Sequence, residues 1–218
     1  MPDGFAYQRE RMVEALPKAG ITDRRVLEAM ATVPRHLFVP TEWRHQAYAE
    51  DVSINIGEGQ TISQPRVVAI MTQGAAVGPS SRVLEVGTGS GYQAAVLARL
   101  AQFVFSVERI PALARQAKRR LDSLGVENVS IKVMDGTLGW RAQAPFDAII
   151  VTAGAPEVPQ PLVEQLAEGG RLVVPVGPMD RQILVVVQRR DGRTRRWELQ
   201  GACFVPLIGR RGWDEGRD

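Results

Sequence analysis

Arg82-Val-Leu-Glu-Val-Gly-Thr-Gly-Ser-Gly-Tyr92 sets the architecture of this chain. A mostly apolar, partly β-branched strand runs into a glycine-rich turn, and a helix-like segment, Tyr92 to Leu100, follows at once. Glycine belongs at such a turn because the φ values there are ones that side chains resist, and because a ligand has to approach the backbone. The helix N-terminus beyond it offers unpaired N–H groups to a polar or anionic group. Glycines at this spacing are a weak sign alone, since many such loops are only tight turns. Two acids strengthen it. Glu85 stands just ahead of Gly87. Glu108 closes the next apolar run, Phe103-Val-Phe-Ser-Val107, about 20 residues on, where nucleotide folds place the carboxylate that accepts ribose hydroxyls.

The position of Glu85 bears on which nucleotide is held. A carboxylate beside the helix N-terminus would repel a pyrophosphate, so a dinucleotide is disfavoured and a nucleoside with a cationic tail is favoured. S-adenosylmethionine, with an adenosine, a sulfonium and an amino-acid end but no phosphate, meets that description.

The 218 residues suffice for one substantial core with a small appended piece. Hydrophobic residues at 44% and charged residues at 23% are ordinary for a globular protein. Lys+Arg 27 against Asp+Glu 24 leaves only +3, an arginine excess concentrated in Arg115 to Arg120, Arg189 to Arg196 and Arg210-Arg211. No aromatic residues interleave with these arginines as stacking platforms, so they read as solvated faces and turns, and no nucleic-acid partner is expected. The one cysteine, Cys203, excludes an internal disulfide, fits a reducing compartment and, lying in an apolar run, is expected to be buried packing. The N-terminus lacks an apolar leader and no apolar run is long enough to span a bilayer, so a cytoplasmic location is expected and no membrane partner. His36 and His45 have no Cys, Asp or Glu at ligand spacing around them, and no metal site is expected.

Residues 1–78 read as a helical extension and 79–218 as the nucleotide-binding unit. Met12, Val13 and Leu16 mark a first helix stopped by Pro17 and Gly20; Val26, Leu27 and Met30 mark a second, with Thr22 as its N-cap and Val33-Pro34 at its end. From Tyr48 to Pro65 periodicity is lost, which predicts a loop able to fold over a neighbouring site. Val67, Val68, Ile70 and Met71 resume helical spacing until Gly78-Pro79. Beyond Glu108, a helix with Leu113, Ala117, Leu121 and Leu124 on one face leads to a strand at Val129, Ile131 and Val133, ending at Asp135-Gly136. Phe146 to Thr152 is almost wholly apolar, as a parallel strand buried on both faces is. A helix over Gln160 to Leu166 with its stop at Gly169-Gly170, a strand Arg171 to Val176, and a hairpin of Ile183 to Val187 and Trp197 to Val205 across Asp191-Gly192 complete the chain. The predicted fold is α/β: a Rossmann-like, doubly wound, mostly parallel sheet with an antiparallel C-terminal hairpin and an N-terminal helical extension.

These residues resemble the protein-L-isoaspartate O-methyltransferases over nearly the whole chain. The resemblance is carried by Val26-Leu-Glu-Ala-Met30, Val33-Pro-Arg-His-Leu-Phe-Val-Pro40, Gly59-Gln-Thr-Ile-Ser-Gln-Pro65, Val83 to Gln93, Asp135-Gly136, Pro145 to Val151, Gly169 to Gly177 and Phe204-Val-Pro-Leu207. The glycine loop is common to class I methyltransferases, whereas Gly59 to Pro65 is particular to this family. It implies methyl transfer from S-adenosylmethionine to the α-carboxylate of L-isoaspartyl residues in damaged peptides and proteins, the ester then collapsing to a succinimide that reopens partly to normal aspartate. It also implies Ile62, Glu85, Gly87, Thr88, Gly89, Ser90, Glu108, Arg109, Asp135 and Gly136 around the cofactor. Ser63 is implied as the active-site hydroxyl, with Thr61, Ile62, Val205, Pro206 and Leu207 beside the substrate. A monomer without a stable protein partner is expected. Arg66, the Gln73-Gly-Ala-Ala76 helix end and Ile208 depart from the family pattern and bear on peptide preference.

Three other functions are weighed on the residues. A base-methylating enzyme acting on exocyclic amines needs an Asn/Asp-Pro-Pro-aromatic loop after the fourth strand, where this chain has Thr152-Ala-Gly-Ala-Pro156, and one acting on cytosine carbon needs a differently placed cysteine. A non-catalytic nucleoside-binding module would be suggested by an eroded Gly59 to Pro65 loop, which is intact. NAD-dependent oxidoreduction lacks a proton donor near the strand ends.

Overall fold

The structure, a computed structural model, describes residues 4–216. Its main sheet has seven strands: β3 (Arg82–Val86), β4 (Phe103–Glu108), β5 (Val129–Val133), β6 (Phe146–Val151), β7 (Leu166–Val176), β8 (Gln182–Arg190) and β9 (Arg193–Ala202). They lie in the order β5-β4-β3-β6-β7-β8-β9, parallel through β7, with β8 antiparallel to both its neighbours. The chain therefore runs outward from β3 through β4 to β5, then returns to build β6 on the other side of β3. That reversal leaves a crevice at the carboxyl ends of β3 and β6, where open α/β sheets bind their ligands.

Strand alternation sorts the core into two layers. Val83, Val104, Ala148, Ile150, Val173, Leu184 and Val186 face one way and share a buried cluster with α1 (Ala6–Ala15), α2 (Arg24–Thr32), α3 (Pro65–Ala75) and α4 (Tyr92–Ala98). Leu84, Val86, Phe105, Ile149, Val151, Leu172, Val174 and Val185 face the other way, toward α6 (Gln160–Glu164). The first cluster runs without a break from Met12 and Leu16 to the sheet, so the elements from Met12 to Val77 bury their apolar faces on the same core as the strands. Among the described residues no helix is long and apolar enough to cross a membrane.

The structure departs from the sequence expectations in five places. The N-cap of α2 is Asp23, whose carboxylate accepts from the Arg25 amide at 3.0 Å, because the Thr22 amide already donates to Gln73 Oε1 at 2.7 Å. The supposed loop from Tyr48 to Pro65 contains an antiparallel hairpin, β1 (Ile54–Gly57) and β2 (Gln60–Ile62), with Ile54, Ile56 and Ile62 turned into the core. The third helix ends at Ala76, which takes a left-handed φ of 52°, before Gly78-Pro79 is reached. Gly169 and Gly170 do not end a helix but lie within β7, where a register shift against β6 presses Gly170 so close to the Phe146 carbonyl that a Cβ would stand 2.9 Å from it. The last strand stops at Ala202, which frees Val205 for the site and leaves the Cys203 side chain exposed rather than packed. The two histidines differ: His36 is buried, stacked on Phe5 and bonded to the Tyr48 hydroxyl, and His45 is exposed.

Gln73, in a segment that departs from the family pattern, ties α3 to the start of α2. Its amide accepts from Thr22 N and from Asp23 N at 2.9 Å, and donates to the Gly20 carbonyl at 3.0 Å. Gln73→Ala removes the partner of three backbone groups that lie at or near the surface, and the expected cost is about 0.5–1.5 kcal/mol. It is checked as a lowered urea midpoint at unchanged m-value.

Candidate active site

A cleft opens at the carboxyl ends of β3, β4 and β6. Its floor is the turn Gly87 to Ser90. Gly87 has φ +97° and its amide donates to the Val107 carbonyl at 2.8 Å, and a Cβ there would meet Thr152 Oγ1 at 2.4 Å. The Thr152 hydroxyl in turn donates to the Gly87 and Val86 carbonyls, fastening the turn to the end of β6. From α5 (Pro111–Ser123), Arg120 donates to the Ser90 carbonyl at 3.2 Å, so this arginine of the 115–120 run is half-buried support rather than a solvated face.

Glu108 ends β4 on the cleft wall. Its Oε2 accepts from the Gly89 amide at 2.8 Å and its Oε1 from the Ile110 amide at 2.9 Å. Two backbone donors thus fix the carboxylate at the cleft with acceptor capacity left for further donors. Arg109 lies beside it, paired with Glu215 at 3.0 Å. Gly136 lies flush against β3 and β4: a Cβ would stand 2.5 Å from Val86 Cγ1.

Two acids expected at the ligand lie behind the wall. Glu85 shares the sheet face of Val83 and is directly opposite Ser106 on β4, which turns its side chain under α4 instead of into the cleft. It is fully buried, and its carboxyl closes a hydrogen-bonded chain with the hydroxyls of Ser106 and Thr88. Burial pushes it up to about 8, against the opposing hydrogen bond from Ser106, so near neutrality it is largely protonated and is no counter-charge for a cationic tail. Asp135 does not line the cleft either. Its Oδ1 accepts from the Thr137 amide and hydroxyl, and its Oδ2 from the Arg210 amide at 2.9 Å, which anchors the C-terminal segment.

Across from the glycine turn, Thr61, Ile62 and Ser63 leave the β1–β2 hairpin for α3. The Ser63 hydroxyl makes no hydrogen bond to another described residue, so both its donor and its acceptor capacity remain available. Val205, Pro206 and Leu207 complete the opposite wall, held because the Gly154 amide donates to the Val205 carbonyl and the Leu207 amide to the Gly154 carbonyl, each at 2.8 Å. The cleft thus gathers Thr61, Ile62, Ser63, Gly87, Thr88, Gly89, Ser90, Glu108, Arg109, Gly136, Val205, Pro206 and Leu207. Ile208, expected to bear on peptide preference, also lines it, as do Gln60, Met71, Tyr92, Gln93 and Thr152, which were not named as site residues from the sequence. Of these, Gln93 could have been suspected as a polar residue on the first turn of the helix after the glycines. Its amide donates to Thr72 Oγ1, while its Oε1 is buried with no partner.

A reversed parallel sheet, a glycine turn at the reversal and a carboxylate on the next strand end are the marks of a Rossmann-like nucleoside-binding fold. The family model described as protein-L-isoaspartate(D-aspartate) O-methyltransferase matches residues 7–212, and the chain belongs to that family. It is 55% identical to the protein-L-isoaspartate O-methyltransferase of Methanoculleus marisnigri, over 97% of this chain and 96% of that protein. It is also 55% identical to protein-L-isoaspartate O-methyltransferase 1 of Syntrophobacter fumaroxidans, over 96% and 98%. A solved protein-L-isoaspartate O-methyltransferase superposes with a TM-score of 0.81 at 31% identity, covering 94% of this chain and 67% of that one. A candidate protein-L-isoaspartate O-methyltransferase of Plasmodium falciparum, in complex with S-adenosyl-L-homocysteine, gives 0.79 at 27% identity, covering 92% and 98%.

Gly87→Ala places a side chain where both φ and the Thr152 hydroxyl oppose it. S-adenosylhomocysteine affinity, measured by calorimetry, is expected to fall at least tenfold, about the equivalent of 1.4 kcal/mol. Glu85 gives a pH prediction. Its folded value of about 8 exceeds the ordinary 4.5, so the native state holds the extra proton between these values and stability declines as pH rises through the window. Glu85→Gln is expected to remove that decline from urea midpoints measured across the window; an undiminished decline in the variant assigns it to another group.

Proposed function

We propose that this chain repairs damaged proteins by moving a methyl group from S-adenosylmethionine to the α-carboxylate of L-isoaspartyl residues. One observation carries this reading: the cleft sets the free Ser63 hydroxyl and the Val205–Leu207 wall opposite the glycine turn and Glu108. That common lining supports a nucleoside site and an acceptor site in one space.

The cleft residues fit the cofactor's chemistry. Glu108 keeps lone pairs for ribose hydroxyls after accepting its two amides. Gly136 packs flush on Val86 and Val107, and the three form an apolar part of the cleft wall suited to a purine face. The unpartnered Gln93 Oε1 is an acceptor suited to an ammonium group. When bound, the sulfonium supplies an already activated methyl group. That methyl would pass to a carboxylate oxygen of the acceptor, the carbon–sulfur electron pair going to sulfur. The acceptor is ionised at neutral pH, so no proton has to be removed and no general base is required.

The chain's own contribution is alignment. We assign Ser63 to hydrogen-bond the acceptor carboxylate, orienting it without the charge that would quench it as a nucleophile. Ile62 and the 205–207 segment flank the peptide backbone. Holding the reacting atoms in line is worth on the order of 7–11 kcal/mol when the geometry is right. A cytoplasmic setting, a single chain and the absence of nucleic-acid partners complete the proposal, supported by the lone unpaired cysteine and the solvated arginines of β9.

The test is transfer of labelled methyl to two synthetic peptides identical except for L-isoaspartate or L-aspartate at one position. Base-labile label on the isoaspartyl peptide alone is expected; no label on either, with the cofactor bound, overturns the assignment. Ser63→Ala is expected to lower turnover on that peptide while S-adenosylhomocysteine affinity stays unchanged, and equal loss of both removes Ser63 from this role.

A further inference from the structure

Arg35 belongs to a 3-10 turn, Arg35–Phe38, between α2 and the hairpin, and lies outside the cleft lining. It is nevertheless fully buried. Its Nε donates to the Ala47 carbonyl at 2.6 Å and its Nη2 to the Ser63 carbonyl at 2.7 Å, 28 residues on in the chain. The guanidinium carbon lies 4.6 Å from the ring centroid of Tyr92, the first residue of α4 after the glycine turn and itself a lining residue of the cleft.

Packing alone does not explain an arginine at this place. Among the described residues no carboxylate forms an ion pair with it, and its Nη1 has no hydrogen-bond partner. An apolar side chain of similar volume would fill such a site without burying a charge. What the planar fork does is hold two carbonyls in fixed directions while its face rests on an aromatic ring, a combination that a lysine ammonium does not reproduce. The carbonyl it holds is that of the residue whose hydroxyl is free. The ring it rests on starts the helix that follows the cofactor turn.

We infer that Arg35 is the positioning residue for the acceptor side of the cleft, setting the Ser63 main chain at a fixed distance from the cofactor helix. The inference rests on the function proposed above. Two neighbouring restraints act in the same direction: the Gln64 amide donates to the Asp51 carbonyl at 2.9 Å, and Arg66 pairs with Asp51 at 3.0 Å. Both of those are exposed, whereas the Arg35 bond to Ala47 is buried and that to Ser63 half-buried, so the Arg35 bonds are the better shielded from competing water.

The experiment compares Arg35→Lys and Arg35→Gln with the wild type, in both the Ser63 and the Ser63→Ala backgrounds. Methyl transfer to the isoaspartyl peptide, S-adenosylhomocysteine binding by calorimetry and thermal melting are read for each. Displacing the acceptor by about 1 Å is expected to lower kcat/KM for the peptide on the order of 10²-fold in Arg35→Lys. Cofactor-product affinity stays within about twofold, because no contact to that ligand is lost. In the Ser63→Ala background the same Arg35 substitution then costs far less, since the group it positions is already missing. Equal losses in both backgrounds, or a parallel loss of S-adenosylhomocysteine affinity, overturn the inference. Failure of both variants to fold also overturns it, by making Arg35 a structural residue. A wild type inert on the peptide takes down the proposed function and this inference together, whereas an active wild type with additive losses takes down the inference alone.

Discussion

The molecule depends on the reversal of chain direction at β3. The helices flanking a parallel sheet force each crossover to one side, so two successive strands built in opposite directions from β3 must leave a gap between the loops at their carboxyl ends. Everything with a chemical role is hung around that gap. The glycine turn closes one side, held by the Val107 carbonyl and the Thr152 hydroxyl. The hairpin and α3 close another, and the segment after β9 closes the last. The cleft is lined mostly from the ends of the main-sheet strands and from loops, and Val86, Val107 and Leu207 serve both the cleft and a core layer.

Charge is distributed according to the same geometry. Glu108 stands at a strand end and keeps lone pairs for a ligand, whereas Glu85, one turn of the pleat inside the sheet, is held neutral by burial and is used as a hydroxyl-bonded strut. Arg35 is the complementary case, a buried cation whose partners are neutral carbonyls and an aromatic face. For methyl transfer from a sulfonium to a carboxylate this economy is chemically reasonable. The reaction neutralises two opposite charges, and a strong fixed charge beside either reactant would favour the ground state over the transition state.

The fold was legible because its signals are local. Strand periods at Val129 and at Phe146, the glycine turn after Val86 and the Asp191-Gly192 turn each declare themselves within a few residues. The β1–β2 hairpin was not, since its strands of four and three residues carry too few alternations to separate from a loop. Gly169 and Gly170 misled because glycine marks helix ends and strand bulges alike. In the cleft, residues adjacent to the glycines or within the Gly59 to Pro65 motif could be named from sequence. Thr152 and Arg35 could not, because their roles arise from partners 65 and 28 residues away. The orientation of Glu85 was also hidden: a position two residues before a glycine says nothing about which sheet face a side chain takes.

The wall formed by Val205, Pro206 and Leu207 is attached to the sheet through Gly154, to whose carbonyl the Trp213 indole also donates, and through Leu207, which packs into the core layer of Leu84 and Val86. All seven strands precede this wall in the chain. The strands are therefore all synthesised before the residues that complete the acceptor side of the cleft. A chain ending before Val205 would lack that side of the cleft, and with it the residues proposed to flank the peptide backbone.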